Sequence, residues 1–130
     1  MPVTLLPSAI SAAVSWLKNQ PTVTAITGSR VGTRLNATLP AIRVQRVGNP
    51  PPAEWADDAS IQIECWAQDE ITAELLARTV IAALPDIRGY PVTGGRVHTY
   101  TVSAGPYFAP DEPPSTLARF VMTVDLLTTP

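Results

Sequence analysis

The side chains best equipped for chemistry are scattered along the chain: one histidine, His98, one cysteine, Cys65, and three adjacent acidic pairs, Asp57-Asp58, Asp69-Glu70 and Asp111-Glu112. A histidine serves as a general base or a metal ligand only with partners. His98 falls in a predicted strand with Arg96 and Tyr100 on its own side and no Cys or acidic residue nearby in sequence, so a surface or interface role accounts for it. Cys65 would need a base at hydrogen-bond distance to act as a nucleophile; on the apolar side of its strand it reads as a packed core thiol. Adjacent carboxylates on an extended chain point apart, whereas an acid–base pair must converge, so capping and solvation explain the acidic pairs. Gly94-Gly95 lacks the Lys-Ser/Thr of a phosphate loop and opens no helix, which leaves a hairpin turn. Trp16, Trp55 and Trp66 lack the interleaved Lys and Arg of a base-stacking platform. Trp55 follows a proline run, the setting of an anchor for a partner protein.

Composition narrows the class further. The 130 residues suit one domain, since compact domains commonly hold about 100 to 150. Hydrophobic residues make up 45% and charged residues 15%, below the usual share of about 25%, so the surface is sparsely charged and part of it is expected to meet another protein. Nine basic and 11 acidic residues give a formal charge of −2 with no basic run, which argues against gripping nucleic acid. A lone cysteine permits no intrachain disulfide. Met1-Pro2-Val3-Thr4 lacks the basic start of a secretion signal, and no apolar run approaches the roughly 18 residues that span a bilayer. A soluble chain made inside the cell is expected.

The elements follow from periodicity. Ser8 caps a predicted helix over 9–19, with Ile10, Ala13, Val14 and Leu17 at helical spacing, and 22–27 forms a further short helical turn. Strand-like residues occupy 30–35. A clearer strand at 41–47 ends in Gly48-Asn49-Pro50-Pro51-Pro52, a stiff extended loop because proline fixes φ and removes a donor. Over 60–67, Ile61, Ile63 and Cys65 alternate with Gln62, Glu64 and Trp66, the period of a half-buried strand. Asp69 then caps a helix over 71–84, stopped by Pro85, in which Leu76, Val80 and Leu84 form one line and Glu74 and Arg78 a candidate exposed pair. A turn at 91–95 leads into a strand over 96–103, and prolines 106, 110, 113 and 114 mark a second projecting loop. The last strand, 117–127, puts Phe120, Met122, Val124 and Leu126 on one face and Arg119, Thr123 and Asp125 on the other. The predicted fold is therefore α+β: a single domain, 1–130, with a mainly antiparallel sheet of about four strands and two helices on its apolar face, and loops projecting near 48–57 and 104–116.

This order of elements resembles the tail terminator, or tail completion, family of long-tailed bacteriophages. The resemblance spans nearly the whole chain. It rests on the first helix followed by Ala25-Ile26-Thr27-Gly28-Ser29-Arg30-Val31, and on Leu39-Pro40-Ala41-Ile42-Arg43-Val44 entering a strand. It also rests on Ile63-Glu64-Cys65-Trp66-Ala67 running into the helix that ends Val80-Ile81-Ala82-Ala83-Leu84, and on Pro110-Asp111-Glu112 before the last strand. The resemblance implies a structural, non-enzymatic virion protein without a cofactor: a homo-oligomeric ring, usually six copies, at the head-proximal end of the tail. Such a ring is assembled in the bacterial cytoplasm, stops polymerisation of the tail tube protein and offers a docking face to the head–tail connector proteins. The proline-rich loops depart from the pattern and leave a head-closure protein of related fold as the alternative.

The residues fit such a role. A sheet face carrying Arg43, Gln45, Gln62, Glu64, Arg119, Thr123 and Asp125 is too polar for a second core and suits a neighbouring subunit or a water-filled channel. Its mixed charge lets DNA pass without specific binding. Loops stiffened by proline lose less entropy on docking, which makes Pro51, Trp55, Tyr107 and Phe108 the expected partner contacts. A small α+β enzyme would instead need His98 and the carboxylates to converge on a cleft, and a nucleic-acid module would need a basic stripe that Glu64 and Asp125 offset.

Overall fold

Local signals set the helices. In the computed structural model, which describes residues 5–48, 55–110 and 117–130, the Ser8 hydroxyl accepts from the Ser11 N–H at 3.1 Å and starts α1, Ala9–Lys18. Pro21, whose ring presets a helical φ, opens α2, Pro21–Thr27. The Asp69 carboxylate accepts from the Thr72 N–H at 2.8 Å and from its hydroxyl at 2.9 Å, starting α3, Glu70–Ala83. Pro85 does not end the helix abruptly; the chain tightens into a 3₁₀ turn over Leu84–Ile87.

The described strands are β1 (Val31–Gly32), β2 (Ala41–Gly48), β3 (Asp57–Ala67), β4 (Pro91–Val92), β5 (Gly95–Phe108) and β6 (Ala118–Thr129). They form one sheet in the order β1-β2-β3-β6-β5-β4, with β1 parallel to β2 and every other pair antiparallel. The α+β class holds, but the sheet has six strands rather than about four, and the described residues form three α-helices, the short turn expected over 22–27 being α2 beside the two helices expected on the sheet. The additional strands are two residues long: β1 lies within the strand-like stretch expected over 30–35, β4 within the turn expected over 91–95, and each forms where β2 or β5 offers it a partner.

At the centre lies an unbroken antiparallel ladder from Asp57↔Thr128 to Ala67↔Ala118. It aligns Ile61, Ile63 and Cys65 with Val124, Met122 and Phe120, on the face where Trp16, Leu17, Leu76 and Val80 of the helices pack in one continuous core. β5 is bulged after Val97, Val102 and Ala104, and His98 is the exposed residue of the first bulge.

The loop expected to begin near residue 104 starts instead as strand: Tyr107 and Phe108 pair with Val121 and Phe120. Gly105-Pro106 sits in a bulge, where the missing proline N–H breaks no ladder bond. Gly105 has φ +82°, and a Cβ there would run into the Val121 carbonyl, so β5 and β6 approach this closely only with glycine. Residues 49–54 and 111–116, which hold Pro51 with most of the first expected loop and the last six residues of the second, lie outside the described residues.

Candidate functional site

On the sheet face away from the helices, the β2–β3–β6 register sets Arg43 opposite Glu64 and Trp66 opposite Arg119. Glu64 is fully buried. An ionised carboxylate tolerates burial only when paired and hydrogen-bonded. Arg43 reaches both carboxylate oxygens through Nε and Nη2 at 2.9–3.3 Å. Arg119 adds Nη1 at 3.3 Å, Gln62 donates Nε2 at 3.0 Å, and the Trp66 indole N–H donates at 3.1 Å. Both guanidinium carbons lie over the Trp66 ring, 6.0 Å from its centroid for Arg43 and 5.3 Å for Arg119, a cation–π arrangement. Arg119 is anchored further by Nε, which donates to the Ala109 carbonyl at 2.7 Å.

Two guanidiniums on one carboxylate leave this cluster with a local charge of about +1. The side chains of Arg43 and Arg119 keep 29% and 22% of their surface, and Arg43 Nη1 and Arg119 Nη2 have no partner among the described residues. The cluster therefore presents cationic donors held rigidly from beneath by Glu64. This corrects one expectation for the polar face: its centre is closed, with Glu64, Trp66 and Val121 buried, because the arginine stems fold over it. Glu64 acts outward only through the arginines.

The structure thus brings together Arg43, Gln62, Glu64 and Arg119. Asp125 stands apart, two residue pairs along the same face, accepting a hydrogen bond from Ser60. Sequence reasoning placed Trp66 on this face but missed its part in the cluster; the signal lies in pairing register, which a single strand does not carry. Another ion pair, Arg46 with Asp57 at 2.7 Å through two hydrogen bonds, closes the opposite end of the sheet, and those bonds raise the Arg46 pKa above its usual value.

Of the expected partner contacts, Trp55 is 68% exposed, and Tyr107 and Phe108 are 49% and 44% exposed on β5. Phe108 also tilts against Phe120, centroids 5.5 Å apart, which fixes it to the sheet. His98 and Cys65 do not meet: His98 is exposed, and Cys65 is fully buried, its thiol pKa pushed far up by burial and then by the neighbouring Glu64 charge. Among the described residues no three His, Cys, Asp or Glu side chains are grouped to hold a metal ion, and no helix is long and apolar enough to cross a membrane.

Two open grooves flank the helices. One of about 670 Å³ lies between α1 and β1, lined by Ile10, Val14, Lys18 and Thr33. The other, about 770 Å³, lies between α2 and α3, lined by Pro21, Leu75, Arg78 and Asp86.

No protein-family model and no curated protein matches the chain. Among solved structures, a chain of the virion of a native gene transfer agent particle is similar, with a TM-score of 0.56 and 15% sequence identity. The likeness covers 94% of this chain and 98% of that one, so the two share an α+β fold from end to end.

Proposed function

We propose that the chain is a structural virion protein acting as a tail terminator: a homo-oligomeric ring, six copies by family resemblance, that caps the tail tube, stops its growth and presents a docking face to the head. The observation that carries this reading is the correspondence, over nearly the full length of both chains, with a component of a virion particle. The resemblance of the order of elements to the terminator pattern supports the finer assignment. The rigid cationic cluster and the exposed Trp55, Tyr107 and Phe108 supply surfaces for joining rigid assemblies. The partners are other copies of the chain, the tube protein and the connector proteins, with DNA passing through ungripped and the finished ring at the head-proximal end of the tail.

Light scattering on the purified protein over a concentration series, with and without tube protein, tests this. A closed ring, alone or only with tube protein, is the expected result. A monomer indifferent to tube protein would count against it and favour a head-closure protein. Trp55→Ala is expected to abolish assembly without unfolding the chain, and a variant that assembles like the parent removes Trp55 from the contacts.

A further inference from the structure

We infer that copies of this chain associate head to tail, the outer face of α3 on one copy docking against the Arg43–Arg119 face of the sheet on the next; this rests on the ring reading above and names its contact. Outward from α3 stand Ile71, 82% exposed, and Leu75, 50% exposed, flanked by Glu70 and Glu74. With Asp69 and Arg78 this face carries a formal charge of −2. Glu74 and Arg78, the candidate pair across one turn, form no ion pair with each other, and both are exposed. On the opposite side of the same subunit, Arg43 and Arg119 over Glu64 leave a local positive charge, with Asp125 farther along the face and the half-exposed ring of Tyr107 at the border of the cluster.

Charge selects among the ways two copies can meet. Sheet against sheet would bring two arginine clusters together, and α3 against α3 would bring four glutamates together; both contacts are isologous and stop at a dimer. Only helix against sheet sets acidic beside basic, and it buries Ile71 and Leu75 against the aromatic and aliphatic parts of the arginine face. Because the two surfaces differ, that contact is heterologous, the kind a closed ring requires.

The test uses the full chain with charges moved at positions outside the Glu64 network. Glu70→Lys with Glu74→Lys makes α3 basic; Gln45→Glu with Thr123→Glu makes the sheet face acidic beside the arginines. Each variant alone is expected to need about tenfold or more higher concentration for half-assembly by light scattering. An equimolar mixture is expected to assemble near the parent concentration, because each variant supplies the face the other lacks. Assembly of the parent should also weaken as salt rises. Variants that assemble like the parent, a mixture that fails although both variants melt like the parent, or salt-independent assembly would overturn the contact while leaving the ring. A parent that stays monomeric with and without tube protein would overturn both.

Discussion

The two faces of β3 bury alternate residues of one strand by different physics. Toward the helices, Ile61, Ile63 and Cys65 join an apolar core in which any side chain of suitable volume has partners. Away from them, Glu64 is equally buried but depends on four named donors, from Arg43, Arg119, Gln62 and Trp66. The first face is held by area and the second by geometry. A buried ion cluster adds little net stability over an apolar replacement of similar volume, yet losing one partner is severe. The lesson is that the polar face shapes a surface rather than stabilising the fold.

Breaking that contrast should show the largest effect at Glu64. Glu64→Ala strands two arginines over a vacated buried site and is expected to cost about 3–5 kcal/mol in urea unfolding. On the other face of the same strand, Ile63→Val should cost only about 0.5–1.5 kcal/mol. Equal losses would mean the faces do not differ as described.

Where β5 closes over the polar face, Gly105→Ala puts a side chain at positive φ against the Val121 carbonyl. A loss of about 1–3 kcal/mol is expected, read by the same unfolding curves. The contrast sharpens when the whole ion cluster is replaced: Arg43→Met, Glu64→Leu and Arg119→Met together should leave stability within about 1–4 kcal/mol of the parent, neutral or higher. Assembly by light scattering should nevertheless be lost.

The smallest effect belongs to the exposed cap of α3. Hydrogen bonds from the Thr72 N–H and hydroxyl lower the Asp69 pKa below its ordinary value of 3.8. A carboxylate whose folded pKa is depressed contributes stability that is fully present above the unfolded pKa and is lost as pH falls through the folded one. Asp69→Ala should therefore lower the melting temperature slightly at neutral pH, with the difference from the parent vanishing in acid below the folded pKa. A difference that persists unchanged there would assign the effect to the capping hydrogen bond, which a neutral carboxyl still accepts, rather than to the cap's charge.

Much of the architecture was legible along the chain because its causes are local. Ser8, Pro21 and Asp69 act within a turn of their own helices, and the alternation in β3 and β6 needs only a few neighbouring residues to sort one face from the other. The short strand β4 and the extension of β5 through Tyr107 and Phe108 were not legible, since pairing with a neighbouring strand creates them and bulges hide the proline. The site was half legible: Arg43, Gln62, Glu64 and Arg119 were placed on one face, but their convergence and the role of Trp66 were not.

The sequence by itself determined the α+β class, the caps and the apolar face, because these depend on residue type and short-range spacing. Only the tertiary structure decided that residues 43, 64, 66 and 119 meet. Strand register, set by the packing of the whole sheet, turns four separated side chains into one buried carboxylate under two arginines.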